Sequence, residues 1–543
     1  MPISRLAVVV ILVMSNAVLA GARGRGREFS VDLWDWTAPC RDVEQFKLWA
    51  ADLKRVGATR VEISAPWNLL EPAPAQYDLS FITDRLTVCK SLGLGMRIRV
   101  NSFYYGATPT WYRGEFWQDV QGRPPVGTPL PPSIADEKFW RHYGPLCTAI
   151  AAAVKGEDVY LNAFIGVHAE LKFGDWWSYD AAALAKWRVA VRDRPAWLAD
   201  VAGDAILPEK PPVPRDTSGT PDNSPVSKAW IAFREELWRD AMRKFTAACR
   251  AGDPNAKISS PLGESFRRES AKFSNLDYHG LTRGSNQVVH SYDFYWHTTD
   301  DAWHAAAAVA AFRGITGIDD IAFEFDGPNL IQNLGYTEAR QVRIAEAAMA
   351  QGAGLKASNY SYYDLPSRHT VLARFAQLTT GSAELTPAAQ VLARPSGAAG
   401  VSSADLVPNN RPLLLFISKW ANYCYREPTE WLHDAQLGAW HMLTSQKIPV
   451  RIICEDNLDE DLPDAGYRGL YVAFSPPELI PATSRAKLDA LQRRLPSVVE
   501  LTHAPPHPPT AHDGTLAYRW LKGDAAQRAA AEMELADLLV RFK

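Results

Sequence analysis

Two strand-like apolar runs in this chain end in glutamate. "FIGVHAE" closes on Glu170, and "IAFEF" carries Glu324, followed by Asp326 and a Gly-Pro turn. A carboxylate at the end of a core strand is costly unless the strand end faces a pocket or a partner charge. A lone glutamate so placed is most often a salt-bridge partner. Two of them, each followed by aromatics or a Gly-Pro turn, suggest a shared site. Two carboxyls facing each other suit glycosidic bond cleavage, in which one protonates the leaving oxygen and the other acts as nucleophile or base. They lie far apart in sequence, so only closure of the fold can bring them across one opening.

Eight β-rich runs alternate with helical patterns between residues 28 and 385. They are 29–36, 59–67, 95–103, 160–170, 256–264, 287–296, 319–326 and 354–363. Among the intervening amphipathic stretches, "TEARQVRIAEAAMAQGAG" opens on Thr337, an N-cap residue, and closes on Gly352 and Gly354. Eight strands alternating with helices predict a parallel (β/α)8 TIM barrel, whose active sites lie at the C-terminal ends of the strands. A Pro-rich insertion over 175–225 follows the fourth strand, on that same face, and reads as a lid or a subunit contact.

Residues 386–410 read as a linker, and the strand–helix rhythm resumes over 411–525 as a smaller flavodoxin-like α/β domain. Residues 526–543 form an amphipathic C-terminal helix. The smaller domain carries no phosphate loop, no dinucleotide fingerprint and no nucleophile elbow, which implies no cofactor and assigns it to assembly.

Composition excludes other classes of function. The chain has 543 residues with 58 Lys+Arg against 61 Asp+Glu, a net charge of −3 and no basic footprint for nucleic acid. Its 19 Trp equal its 19 Tyr, a wealth of flat faces that pack cores and also stack on sugar rings. Residues 1–22 have the pattern of a signal peptide: Arg5, a nine-residue apolar run, then small residues at Ala20 and Ala22. A secreted or periplasmic protein, free of the membrane after cleavage, is expected. The six cysteines include no C-x-x-C pair, so no metal site is expected, and Cys89, Cys147 and Cys249 fall in helical patterns as buried thiols.

"RVEISAPWNLLEPAPAQYDLSFITDRLTVCKSLGLGMRIRV" (60–100) resembles the second-to-third-strand segment of clan A glycoside hydrolases, most closely the family 42 β-galactosidases. The matching positions are Arg60, Trp67, Leu70-Glu71-Pro72, Tyr77-Asp78 and Gly93-Leu94, with Pro109 and Trp111 resembling a loop after the third strand. The smaller domain is similar to that family's trimerisation domain, which implies a homotrimer. The resemblance implies an exported, retaining, exo-acting β-glycosidase with Glu170 as acid/base and Glu324 as nucleophile. Ala169 stands where the family carries the asparagine that contacts the sugar's 2-hydroxyl, and the family's zinc-binding cysteines have no counterpart. "HAELKFGDWWSY" also resembles the acid-bearing stretch of β-amylases, which invert configuration. An inverting hydrolase and a catalytically silent glycan-binding barrel therefore stand as alternatives.

A carbohydrate site needs aromatic platforms and fixed polar side chains. Asn101, Trp176, Tyr292, Trp296 and Arg60 are the expected substrate contacts. The resemblance implies Tyr292 or His290, on the sixth strand near the nucleophile, as the group that holds Glu324 ionised; Arg60 or Arg99, projecting from the second and third strands, would do the same electrostatically.

Overall fold

In the computed structural model, the described residues are 27–33, 42–103, 106–124, 130–166, 171, 178–212, 223–263, 275–291, 302–326, 337–358, 366–386, 389–390, 392, 411–424, 431–500, 515–540 and 542. Eight parallel strands close into a barrel in sequence order. They are β1 (Phe29–Leu33), β2 (Arg60–Pro66), β3 (Gly95–Asn101), β4 (Val159–Phe164), β5 (Lys257–Gly263), β6 (Gln287–Ser291), β7 (Ile321–Asp326) and β8 (Gly354–Ser358). Closure is made by β8 against β1, with Leu355 opposite Phe29 and Ala357 opposite Val31. All eight expected strands are present.

Side chains on a strand alternate between its two faces, and here the alternation sorts by chemistry. Val31, Val61, Ile63, Met96, Ile98, Val100, Phe323, Phe325 and Leu355 point outward into the apolar core formed with the helices. The positions between them are polar or charged, and all are buried: Asp32, Glu62, Arg97, Arg99, Glu324 and Lys356. The barrel interior is thus ionic where such barrels are usually filled by branched apolar residues.

The helices that follow the strands in turn are α1 (Val43–Arg55), α2 (Ser80–Leu92), α3 (Glu137–Ala153), α4 (Pro225–Gly252), α5 (Tyr278–Thr282), α6 (Ala302–Thr316), α7 (Glu338–Ala350) and α8 (Pro366–Thr380). Their ends follow local chemistry. Asp42 caps α1 through the Glu44 N–H, and Thr337 caps α7 through the Arg340 N–H. Gly352, just past α7, takes a φ of +88° that a side-chain-bearing residue adopts only at a cost. The insertion after β4 is partly helical, at Ala181–Asp193 and Ala196–Ala202. Its Trp187 packs edge-on against Trp230 of α4, and Tyr179 meets the same indole. This part of the insertion is anchored to α4 by aromatic packing.

A second sheet of four parallel strands has the order β10-β9-β11-β12, from β9 (Leu413–Phe416), β10 (Val450–Ile453), β11 (Gly469–Val472) and β12 (Ser497–Val499). The last of these strands was absent from the sequence expectation. Being three residues long, it carries too little pattern to announce itself. Helices α9 (Lys419–Cys424), α10 (Trp431–Ser445), α11 (Ala482–Arg494), α12 (Leu516–Lys522) and α13 (Ala525–Val540) complete the unit. The expected linker lies largely outside the described residues.

Doubly wound sheets hold ligands at the C-terminal ends of their strands. Here the position just past β9 faces the barrel. Lys419 is buried there against Asp456 at 2.8 Å, Glu235 of α4 at 3.2 Å and Asp277 at 3.7 Å. Tyr423 donates to Glu235 at 2.8 Å and accepts from the Leu276 N–H at 2.7 Å. That strand end is filled by a buried ionic joint between sheet and barrel. Among the described residues no helix is long and apolar enough to cross a membrane.

The buried acids divide in their response to pH. Burial pushes Asp32, Glu235 and Glu500 up to about 7 and Asp180 up to about 6. The folded chain keeps protons on these groups that the unfolded chain releases near 4. The stability they contribute is complete below that pH and is lost as pH rises toward 7. Glu28 and Glu62 behave oppositely. Burial alone would raise them, but their arginine and lysine neighbours hold both at about 2, so their contribution is lost as pH falls below about 4. The melting temperature should therefore peak at mildly acidic pH and fall by several degrees toward pH 8, with a shallower alkaline slope in Asp32→Asn. A melting temperature that rises steadily from pH 5 to 8 would refute this division.

Candidate active site

Glu324 occupies the fourth of the six positions of β7, in register with Ser291 of β6 and Lys356 of β8. Its side chain is 9% exposed. The Lys356 ammonium donates to one carboxyl oxygen at 3.0 Å, and the Ser358 hydroxyl donates to the other at 2.6 Å. Arg99 of β3 stands 3.6 Å from the oxygen that Ser358 holds. The carboxyl is thus gripped at both oxygens, largely from β8. Asp326 ends β7, and its side chain lies outside the described residues.

Beneath and beside it runs a continuous ionic network. Lys356 reaches Glu62 at 2.9 Å and Asp32 at 3.7 Å. Arg99 forms an ion pair with Asp32 at 2.7 Å and also pairs with Glu62. Arg97 then binds Glu62 at 2.8 Å, donates to the side-chain carbonyl oxygen of Gln287 at 2.6 Å and pairs with Glu28. Buried charges on this scale persist only when fully paired, which explains why acids and bases interleave around the barrel. Burial raises Asp32 to about 7, Glu62 and Glu324 add to the rise, and Arg99 and Lys356 oppose it. Asp32 therefore carries a proton through much of the acid range.

The sequence-expected residues fall in different places. Arg99 meets Glu324, as expected of a residue projecting from the third strand. Arg60 does not. As the first residue of β2 it lies at the N-terminal end of the barrel, bonded to Glu28 at 3.0 Å and Asp158 at 3.0 Å. It is a stave of the barrel floor, because the ionic interior starts at the first position of the strand. Asn101 ends β3 and is fully buried; its amide donates to Ser64 at 3.1 Å, and its carbonyl oxygen accepts from the Phe103 N–H at 3.1 Å. It braces the strand end.

Glu170 was expected to end the fourth strand, but β4 stops at Phe164. Gly166 turns the chain there with φ +87°, and a Cβ on it would come within 2.3 Å of the Trp238 indole. Only glycine fits that turn. Glu170, Ala169, Trp176, Tyr292 and Trp296 lie outside the described residues, as does the His290 side chain.

Trp67 and Glu71, which carry the resemblance, prove to be scaffold. The Trp67 indole donates to Glu71 at 2.6 Å, and Glu71 also accepts from the Ala75 N–H at 2.8 Å and, through its backbone carbonyl, from Trp111 at 2.9 Å. Trp67 and Trp111 pack edge to face. This knot fixes the loops after β2 and β3.

Sequence reasoning missed Asp32, Glu62, Arg97, Lys356 and Ser358. The signal was in the sequence: "SVDL", "RVEIS", "MRIRVN" and "GLKAS" alternate apolar and polar residues strictly. A parallel strand buried on both faces normally reads as a continuous apolar run, so alternation inside such a barrel marks a polar lumen.

No family model matches the chain, and no curated protein matches it. Solved structures do. The β-galactosidase from the psychrophilic Marinomonas ef1 aligns with a TM-score of 0.58 at 14% identity, over 87% of this chain and 75% of that one. A polyextremophilic β-galactosidase from the Antarctic haloarchaeon Halorubrum lacusprofundi gives 0.56 at 15%, over 82% and 68%. The catalytic domain of a β-amylase from Paenibacillus polymyxa gives 0.53 at 14%, over 66% of this chain and 99% of that one. At these identities the likeness is one of fold: a (β/α)8 barrel of the kind found in these glycoside hydrolases, followed by a further parallel sheet.

Proposed function

We propose that the chain is a glycoside hydrolase of clan A type, resembling the family 42 β-galactosidases, that acts on a carbohydrate as a retaining, exo-acting β-glycosidase. The observation that carries this reading is Glu324. It is a buried carboxylate in the C-terminal half of β7, fixed at both oxygens by Lys356 and Ser358 in a closed parallel barrel. Such barrels do their chemistry at that end. Glu324 is the nucleophile in this reading and Glu170 the acid/base, with Trp176, Tyr292 and Trp296 as the sugar contacts and Asn101 supporting them from the end of β3. The fold neighbours support the class, since the two cited at greatest coverage are β-galactosidases.

An inverting hydrolase is the second reading, favoured by the likeness to nearly the whole β-amylase catalytic domain. A panel of nitrophenyl glycosides tests the class, and proton NMR of the first-formed anomer separates the two mechanisms. Hydrolysis of one β-glycoside with retained configuration is expected. No turnover across the panel or on polymeric β-glycans would favour the catalytically silent glycan binder.

Assembly and export complete the proposal. The smaller domain makes the protein a homotrimer, and the leader directs it to the periplasm or beyond. One preparation tests both: light scattering should give the mass of three chains, and mass spectrometry a chain that begins after Ala20 or Ala22. A stable monomer removes the first part, and an uncut chain the second.

A further inference from the structure

Five ionisable side chains meet at the level of Glu324 inside the barrel: Asp32 from β1, Glu62 from β2, Arg99 from β3, Glu324 from β7 and Lys356 from β8. Three are carboxyls and two are cations, and each cation touches all three acids. Arg97 adds a third cation from below, but only to Glu62 at this level. Ser358 is the remaining polar group on Glu324 among the described residues.

The two cations are not equivalent. Arg99 makes its short contacts with Asp32 and Glu62 and stands furthest from Glu324, at 3.6 Å. Lys356 lies within hydrogen-bond distance of Glu324, at 3.0 Å, and is completely buried. Lysine is an expensive residue to bury, and the outer positions of β8, Leu355 and Ala357, already supply its packing. Lys356 and Ser358 occupy alternate positions on one strand, so β8 delivers an ammonium and a hydroxyl to the two oxygens of one carboxyl.

We infer that Lys356 is a positioning residue for Glu324, holding that carboxyl in place for reaction by a charge-assisted contact from inside the barrel. The inference rests on the glycosidase reading. Asp32 is the competing acid. Below about 7 it is neutral, so Arg99 and Lys356 serve Glu62 and Glu324 alone. Above that pH a third carboxylate draws on the same ammonium.

The test is the pH profile of kcat/KM on whichever glycoside the panel identifies. Its acid limb reports ionisation of the nucleophile in the free enzyme. Removing a neighbouring cation disfavours the carboxylate, so the acid limb of Lys356→Met should move up by about one pH unit. The fall in kcat at neutral pH should be on the order of 100-fold, the scale of losing one preorganised electrostatic contact, with KM nearly unchanged. Lys356→Arg, which retains the charge, should restore most of the limb. If Lys356→Met does not yield folded protein, Lys356→Gln removes the charge while keeping a hydrogen-bonding side chain.

A folded, charge-free variant with an unmoved acid limb would overturn the inference, even if its melting temperature fell, and would make Lys356 a structural counterion of Glu62. Glu324→Gln assayed alongside separates the two levels. Wild-type hydrolysis by that variant removes Glu324 as the nucleophile, and with it the reading of the site on which the inference rests. A dead Glu324→Gln beside an unmoved limb removes only the role of Lys356.

Discussion

Glu324→Gln should abolish turnover while leaving a folded protein. Glutamine keeps the size of the side chain and can still accept from Ser358, so the packing of β7 against β8 is preserved. The Lys356 ammonium loses one partner but keeps Glu62 at 2.9 Å and Asp32 at 3.7 Å. The amide, however, cannot attack an anomeric carbon, and binding alone does not replace a covalent step. A loss on the order of 10³-fold or more in kcat is expected, in line with removal of a group on which the whole mechanism depends. Circular dichroism and a melting curve on the same preparation establish that the fold survives. Near-normal hydrolysis would dismiss Glu324 as nucleophile.

Glu170→Ala should give a loss that depends on the leaving group. An acid that protonates a departing oxygen near neutral pH needs a pKa well above the ~4.3 of a free glutamate. The sequence that follows, "FGDWWSYD", carries two indoles, and an indole wall that excluded water would disfavour the carboxylate. A negative Glu324 facing it would act in the same direction until a glycosyl group neutralised it. Substrates with poor leaving groups should then fail in the variant, whereas nitrophenyl glycosides, which leave without help, lose much less in the first step. Azide, which needs no general base, should restore the second step and give a glycosyl azide. Equal losses on all substrates with no azide effect would transfer the role to another carboxyl, Asp175 being the nearest in sequence.

The number and order of the barrel strands were legible because alternating strands and helices of ordinary length leave few other topologies. Strand ends were not. Apolar residues continue past the last ladder bond, so "FIGVHAE" reads as strand through Glu170 although β4 stops at Phe164. Glu324 was legible because an acid flanked by Phe323 and Phe325 is conspicuous. Its partners were hidden by long-range geometry: Lys356 is near in sequence, but Asp32, Glu62 and Arg99 come from β1, β2 and β3 at the other end of the barrel's chain order, and closure of β8 on β1 brings them round to it. Arg60 misled for the same reason. Its type suited an anion-holding role, and its first-in-strand position put it on the floor. The ionic lumen could have been read from strict alternation in four strands, a pattern that signals a solvent-facing sheet elsewhere and a polar interior here.

The central claim is that Glu324 attacks the sugar, and covalent trapping tests it most directly. A 2-deoxy-2-fluoro glycoside with a good leaving group, matched to the sugar that the panel identifies, should inactivate the enzyme by forming a slowly hydrolysed ester. Peptide mass spectrometry should then find the glycosyl mass on Glu324, with none in Glu324→Gln. Stoichiometric labelling of any other residue, or continued turnover with retained configuration and no label on Glu324, would contradict the account.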